Sequence, residues 1–176
     1  MPNIYFFFGG VFGFSLVLGL LGVYYYNKMT GLKVKMEESL KTIDVLVDRR
    51  QGQLEQVSNL LSKLGADGIE NAKVAVADGQ RAIAETTVPG KAKGLEMADR
   101  SLHAVLAIAD AQPNILKNPE YDPLQRGIEK TNIEIDGSRR YYNALVRDYN
   151  LLVQRLPSAL YALLLRLQKA DYLEQK

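Results

Sequence analysis

The sequence predicts an all-α protein, in which an N-terminal transmembrane helix is followed by an antiparallel helical bundle. Three observations predict this fold class. An uncharged apolar stretch near the N-terminus is long enough to cross a membrane, apolar residues in the remainder recur with a helical period, and Gly and Pro separate the helical stretches. We predict two domains: a membrane anchor over residues 1–28 and a cytoplasmic bundle over residues 29–176, with two long helices, two short helices and a short C-terminal helix.

The apolar stretch covers residues 4–26 and contains no charged side chain before Lys28. As a helix it would extend roughly 34 Å, which is enough for a hydrocarbon core of about 30 Å. Lipid offers no partners to backbone amides and carbonyls, so a single span has to be helical. Tyr24, Tyr25 and Tyr26 stand where membrane helices carry an interfacial belt of aromatic residues.

Two other interpretations of this stretch fit less well. A cleaved secretory signal needs a basic start and small residues at the cleavage site, whereas here the start has no Lys or Arg and the apolar core ends in three Tyr. A pilin-type segment around Gly13 would need a basic residue before the Gly and a Glu five residues later, but Phe12 and Leu18 occupy those positions. We therefore expect a permanent single-pass anchor.

The charges on either side of the stretch predict its orientation. Residues 1–27 contain no Lys or Arg, whereas Lys28, Lys33, Lys35 and Lys41 follow the stretch closely. Positive residues are enriched on the cytoplasmic side of membrane helices. The N-terminus is therefore expected outside and the C-terminal domain in the cytoplasm.

The first helix of the soluble part is predicted over residues 32–64 and ends at Gly65. Its apolar residues alternate in steps of four and three, which is the heptad pattern of a coiled coil. The pattern is interrupted by Arg50. The predicted seam consists of Met36, Leu40, Ile43, Val47, Arg50, Leu54, Val57, Leu61 and Leu64.

Two shorter helices are predicted next, over residues 68–86 and 92–111, separated by the "VPGK" sequence at 88–91. The first presents a narrow face of small residues suited to close packing. Its face consists of Ile69, Ala72, Val76, Gly79 and Ile83. The seam of the second consists of Leu95, Ala98, Leu102, Val105 and Ala109.

A second long helix is predicted over residues 123–156, after a loop bounded by Pro113 and Pro119. Pro123 suits a first helical turn, and Pro157 interrupts the helix. A last helix is predicted over residues 159–173, capped by Ser158 and placed against the base of the bundle or the lipid surface. The seam of the long helix consists of Leu124, Ile128, Thr131, Ile135, Ser138, Tyr142, Leu145, Tyr149, Leu152 and Leu156.

Arg50 needs an explanation because a charged side chain inside a bundle is costly without a partner. When the two long helices are aligned end to end in antiparallel order, Arg50 faces Ser138, the polar position of the other seam. Asp136 and Glu134 lie close to that position. We predict a structural polar pair of Arg50 with one of these acids, Asp136 being favoured. The alternative is that Arg50 extends from the edge of the seam into water.

The dipeptide Tyr-Asn occurs twice, seven residues apart, as Tyr142-Asn143 and Tyr149-Asn150. This spacing places both Tyr on the seam and both Asn on one adjacent stripe. A buried Tyr hydroxyl needs a hydrogen-bond partner and an Asn amide can connect two helices, so a structural role is favoured. The alternative is an interaction stripe, in which Asn143 and Asn150 contact a ligand or another protein.

Several short motifs resemble the LemA family of bacterial proteins. The matching residues are Leu124-Gln125, Thr131-Asn132, Arg140-Tyr141-Tyr142-Asn143, Tyr149-Asn150 and Pro157-Ser158, and more loosely Tyr26-Asn27, Ile43-Asp44-Val45 and Arg49-Arg50. The resemblance implies a helical bundle on a single N-terminal span, with the C-terminal domain in the cytoplasm. It implies no established enzymatic activity. Some family members belong to gene sets for magnetosome membrane formation.

Catalytic, cofactor-binding and metal-binding residues are not predicted. The chain has no Cys and one His, His103, which leaves little for nucleophilic, acid–base or metal chemistry. No Gly-rich phosphate loop is present outside the apolar stretch. A net charge of +2, without a cluster of Lys or Arg among aromatic residues, excludes a typical nucleic-acid-binding protein.

These observations predict a non-enzymatic, membrane-anchored scaffold or adaptor on the cytoplasmic face of a bacterial inner membrane or a derived organelle membrane. Its expected partners are the lipid bilayer and other membrane or cytoplasmic proteins, including further copies of itself. The alternative is a factor for membrane remodelling or organelle biogenesis, in which the last helix is pressed on lipid.

Overall fold

The computed structural model describes residues 2–82 and 84–173, with side chains from residue 7 onward. All regular structure in these residues is α-helical, which confirms the predicted fold class. The helices are α1 (Pro2–Lys63), α2 (Ile69–Ala82), α3 (Val88–Asp110), α4 (Pro113–Leu116), α5 (Tyr121–Gln154) and α6 (Ser158–Leu164). Ile83, which was predicted at the end of the α2 face, lies outside the described residues.

Helix α1 joins the apolar stretch and the first predicted heptad helix without a break. It is long and apolar enough to cross a membrane by length and composition. Its apolar side chains between Phe7 and Val23 are mostly exposed, whereas Met29 is buried. The apolar part therefore lacks protein packing along most of its surface, and the seam of the bundle begins after it.

Glycine ends α1 through a local hydrogen-bonding pattern. Gly65 adopts a φ of 62°, which a residue without Cβ accepts readily. The Ala66 amide donates to the Leu61 carbonyl at 3.1 Å and the Gly65 amide donates to the Ser62 carbonyl at 3.2 Å. This is the Schellman arrangement, in which the last carbonyls of a helix find donors.

The predicted seams correspond closely to the buried residues. In α1, Arg50 and most of its apolar seam neighbours are buried, and all five predicted seam positions of α3 are buried. At the ends the pattern fails: Leu64 is 39% exposed and Leu156 is 75% exposed. Both residues lie beyond the last residue of their helix, so no neighbouring turn covers them.

Helix α3 begins at Val88, four residues earlier than predicted, and Thr87 caps it. The Thr87 hydroxyl accepts a hydrogen bond from the Gly90 amide at 3.2 Å, and Pro89 lies in the first turn. This is a typical N-cap, because the first amides of a helix lack partners within it.

The C-terminal helix is shorter than predicted. Helix α6 ends at Leu164, and residues 167–172 have no regular secondary structure. Ser158 is not its cap; the Ser158 hydroxyl donates instead to the Arg155 carbonyl at 2.8 Å. The predicted helix over 159–173 was therefore wrong in its second half, where the tail makes side-chain-to-backbone hydrogen bonds instead.

The chain divides into two compact units, each of which takes part of α1 and part of α5. Unit 1 comprises the described residues of Met1–Glu37 and Ala144–Ala170. Unit 2 comprises those of Glu38–Asn143 and Asp171–Lys176. Both units are helical, and each is described below through its own contacts.

A hydrophobic core of unit 2 lies near the C-terminal end of α1. Side chains from α1, α2, α3, α4 and α5 meet there and exclude water. The buried members are Leu54, Val57, Leu60, Leu61, Ala72, Val76, Leu102, Val105, Ala109, Ile115, Tyr121 and Ile128.

Candidate functional site

A buried polar cluster joins three helices of unit 2 around Arg50. The Arg50 guanidinium donates to the Asp99 carboxylate of α3 at 2.7 Å and to the Asn132 side-chain oxygen of α5 at 3.0 Å. Arg139 donates to the other Asp99 oxygen at 3.0 Å. One carboxylate thus bridges two guanidinium groups, and a net positive charge remains in the cluster.

The structure corrects the predicted partner of Arg50. Asp136 is 62% exposed at its side chain and lies 3.9 Å from Arg139, whereas Arg50 is 2% exposed and pairs with Asp99. An acidic partner was correctly expected, but its identity was wrong, and so was the alternative of Arg50 reaching water. Along α5, Arg50 contacts Asn132 rather than Ser138, so the true alignment differs from end-to-end matching by six residues.

The antiparallel order itself is confirmed within unit 2. Arg50 contacts Asn132, and farther along α1 the Gln53 amide lies 3.1 Å from the position that a Cβ on Gly127 would occupy. The α5 residue numbers fall as the α1 numbers rise. Asp99 was not predicted because it lies on α3, next to the seam position Ala98. Finding it would have required the relative placement of α1, α3 and α5.

A depression of about 260 Å³ opens beside this cluster. Its wall includes Asp99 and Arg139 of the polar cluster, together with Lys93, Glu96 and Leu173. The Arg139 Nε atom is buried and lacks a hydrogen-bond partner among the described residues. Charges of both signs line the depression, so it does not select a ligand of one charge.

The two asparagines of the predicted stripe are occupied by the chain's own C-terminal segment. In unit 1, the Asn150 amide donates to the Ala170 carbonyl at 3.0 Å and accepts from the Ala170 amide at 2.8 Å. In unit 2, the Asn143 oxygen accepts from the Leu173 amide at 3.0 Å. The structural use of both residues is therefore visible, and an external partner would have to displace residues 170–173.

The tyrosines of the same repeat differ in their hydroxyl partners. Tyr142 donates to the Asp171 carbonyl at 3.1 Å, which adds a further contact to the C-terminal segment. Burial, and secondly the Asp171 charge, raise the pKa of Tyr142. Tyr149 is buried in unit 1, its hydroxyl lacks a partner among the described residues, and Lys33 Nζ lies 5.6 Å from its ring centroid. That distance permits a cation–π interaction.

In unit 1, α6 packs on the apolar part of α1 through Tyr161. The Tyr161 hydroxyl donates to the Leu18 backbone carbonyl at 2.8 Å. Its ring stacks on Tyr25 with centroids 5.8 Å apart, and its Cε1 atom lies 3.0 Å from the position of a Cβ on Gly22. Gly22 therefore makes room for the ring. This contact could not be predicted from the sequence, where Tyr161 is a single Tyr within a Leu-rich run.

An open groove of about 860 Å³ lies at the end of the bundle formed by unit 2. Its walls come from the last turns of α1 and from the loop before α5 with the start of α5. The lining residues are Gln56, Asn59, Leu60, Ser62, Lys63, Pro119, Glu120, Pro123 and Leu124. The mixture of amide, charged and apolar side chains suits a polypeptide better than a small apolar ligand.

Groups for catalysis or metal binding are sparse in the part of the chain that the structure describes. His103 is exposed on α3. Among the described residues there is no cluster of three or more His, Cys, Asp or Glu that could hold a metal ion. Tyr121 donates to the Asp110 carboxylate at 2.8 Å, and burial, followed by that hydrogen bond, raises its pKa well above the usual range.

A sequence model of the LemA family matches residues 28–176, most of the chain. The chain belongs to the LemA family. The match begins at Lys28, two residues after the end of the apolar stretch, and includes both Tyr-Asn dipeptides. No curated protein matches the chain. For this LemA protein, residues 28–176 thus establish the family, and the resemblance inferred from its short motifs is confirmed.

Proposed function

We propose that this LemA protein is a non-enzymatic scaffold or adaptor, anchored by α1 on the cytoplasmic face of a bacterial membrane. The observation that carries the proposal is the continuity of α1, in which one uninterrupted helix holds both an exposed apolar stretch and the seam of a bundle. Through such a helix, a partner that binds the bundle would be held at the membrane.

The charge distribution supports the orientation. Lys28, Lys33, Lys35 and Lys41 follow the apolar stretch, whereas residues 1–27 have no basic side chain. The absence of Cys from the sequence allows a direct test. We expect Leu64→Cys in intact cells to react with a membrane-impermeant maleimide only after the inner membrane is permeabilised. Labelling of Leu64→Cys in unpermeabilised spheroplasts would contradict the orientation.

The groove at the end of unit 2 supports an adaptor role. Asn59 lines the groove and is exposed. A photo-crosslinking amino acid at Asn59 should give a discrete crosslinked product in intact cells. The same substitution at exposed Lys130, which does not line the groove, serves as the control.

The crosslinking experiment distinguishes three outcomes. A product of twice the chain's mass supports self-association through the groove, and a product containing another protein supports an adaptor role. If Asn59 and Lys130 give the same pattern of products, the groove is not a specific contact surface and the adaptor proposal loses its support.

A second candidate is membrane remodelling or organelle biogenesis, as in magnetosome-type membrane formation. The observation that favours it is the exposed leucine face of α6 in unit 1, including Leu160, Leu163 and Leu164. Amphipathic helices that insert at an interface can bend membranes. Electron microscopy of vesicles containing the full chain tests this: tubulated or constricted vesicles support remodelling, and unchanged spherical vesicles contradict it.

A further inference from the structure

We infer that the leucine face of α6 lies in the hydrocarbon of the membrane leaflet nearest Lys28, beside α1, as a second membrane-inserted element. This inference rests on the proposed anchoring of α1 in a bilayer. The occupant of the leucine face is then lipid acyl chains, rather than a second copy of the chain or a soluble protein.

The contact through Tyr161 fixes the depth of α6 along α1. Its hydroxyl binds the Leu18 carbonyl, and Leu18 precedes Lys28 by ten positions, or roughly 15 Å along a helix. The aromatic belt at Tyr24–Tyr26 lies between these two residues. If α1 spans the membrane, the Tyr161 hydroxyl therefore lies deeper in the bilayer than the aromatic belt, at the level of the hydrocarbon.

Several polar groups of α6 have partners within the protein, as a hydrocarbon environment requires. Without water, a buried hydroxyl or amide must find a partner within the protein. Tyr161 uses a carbonyl of α1, and the Ala159 and Leu160 amides donate to the Arg155 and Pro157 carbonyls at 2.9 and 3.2 Å.

The far end of α6 is closed in the same manner. The amides of Leu165, Arg166 and Leu167 donate to carbonyls one turn earlier, at 2.9 to 3.1 Å. Both ends of this short helix therefore hold their amides internally, and lipid would leave none of the named groups without a partner.

The outward surface of α6 is apolar, and its Tyr161 contacts the apolar part of α1 at Leu18 and Tyr25. Leu160, Leu163 and Leu164 are exposed by 61%, 76% and 79%, and Leu156 beside them by 75%. Ser158 and Ala162 are buried on the opposite side of the helix. Exposed apolar patches of this kind mark a binding surface. The neighbouring apolar surface of α1 indicates that lipid is what covers it.

Two arginines bracket the apolar run. Arg155 and Arg166 are exposed and stand before and after residues 159–165, which contain no charge. Arginine side chains at the ends of an inserted segment extend to the lipid head groups while their stems remain among the acyl chains. This arrangement suits a re-entrant or interfacial helix better than a contact with a soluble protein.

The inference is tested with single cysteines in the full chain. Leu163→Cys is labelled with an environment-sensitive fluorophore in vesicles of phosphatidylethanolamine and phosphatidylglycerol. Leu20→Cys, exposed by 63% on the apolar part of α1, reports the anchoring, and Val74→Cys, exposed by 58% on α2, reports water. Quenching by brominated acyl chains and by aqueous iodide is measured for each label.

We expect the Leu163 label to be quenched by the brominated lipid as strongly as the Leu20 label, and several-fold more than the Val74 label. If the Leu163 label is quenched by iodide while the Leu20 label is quenched by lipid, the inference fails and the anchoring stands. If lipid quenches neither label, the anchoring fails as well. A Leu163 label protected from both quenchers would show that protein covers α6, which also overturns the inference.

Discussion

Arg50 and Asp99 form a hydrogen-bonded ion pair of 2.7 Å between α1 and α3, with only 3% of the Arg50 side chain exposed. The pair is held from a third helix by Asn132 and Arg139. A buried ion pair of this kind contributes little net stability, but loss of one partner leaves a charge without compensation. Two of the Arg50 nitrogens, Nε and Nη2, already lack partners among the described residues.

Replacement of Asp99 by Ala should therefore destabilise the protein more than Arg50→Met does. Asp99→Ala leaves the buried Arg50 charge with a single neutral acceptor, and we expect a loss near the lower end of roughly 3–5 kcal/mol. Arg50→Met removes the charge and retains an apolar chain of similar length, so its loss should be smaller. Denaturant unfolding of the detergent-solubilised full chain, followed by circular dichroism, measures both.

Asp136→Ala provides the control for this pair, since Asp136 is exposed and does not contact Arg50. We expect its effect to stay within about 0.5 kcal/mol, as for most surface substitutions. If Asp136→Ala cost as much as Asp99→Ala, the assignment of the buried partner would be wrong.

Gly79→Ala should destabilise unit 2 although it raises the helix propensity of α2. A Cβ at this position would lie 2.7 Å from Gln51 Nε2 and 2.8 Å from Ser101 Oγ. The Ser101 hydroxyl cannot yield freely, because it donates to the Ala75 carbonyl at 2.6 Å. Overpacking of this kind costs about 1–3 kcal/mol. We expect a lower free energy of unfolding in denaturant titrations.

Gly137→Ala is the matched control for the glycine on α2. It lies within α5, and a Cβ there would meet no atom within 4 Å. Glycine in a helix interior is less favourable than alanine by about 1 kcal/mol. Gly137→Ala should therefore be neutral or stabilising, and a loss equal to that of Gly79→Ala would argue against steric crowding as the cause.

Asn150→Ala should release the C-terminal segment from α5. The side chain makes two hydrogen bonds with Ala170, and their loss in a partly buried site should cost about 1–3 kcal/mol of local stability. Each 1.4 kcal/mol changes the open fraction about tenfold, so trypsin should cleave after Lys169 on the order of ten times faster. Mass spectrometry of timed digests measures this rate.

Asn59→Ala is the control for this experiment, because Asn59 lies on α1 in unit 2. Its cleavage rate after Lys169 should equal that of the unmodified chain. If Asn150→Ala also left this rate unchanged, the two hydrogen bonds between Asn150 and Ala170 would not hold the C-terminal segment in solution.

Heptad spacing predicted the long helices and their buried faces because burial of a seam depends on local periodicity, as for Ile43, Leu54 and Ile128. The partner of Arg50 could not be predicted in the same way. It depends on the longitudinal alignment of α1 with α5 and on the placement of α3, and neither follows from helix length alone. The hydrogen bonds between Asn150 and Ala170 were not predicted, because the helical pattern was extended over residues 165–173. In the structure, backbone groups of this segment bind side chains of α5 instead of continuing the helix.

Stability should fall at alkaline pH, partly because of Tyr121. Burial and the Asp110 carboxylate raise the pKa of this phenol, so the folded chain retains a proton that the unfolded chain loses near pH 10. Above about pH 10 the unfolded state binds fewer protons, and the free energy of unfolding therefore decreases as pH rises. Tyr121→Phe should lower stability by about 1 kcal/mol at neutral pH but give a shallower alkaline decline. Tyr141→Phe, at an exposed position, should retain the full slope in thermal unfolding measured across this pH range, and equal slopes for both variants would contradict the role of Tyr121.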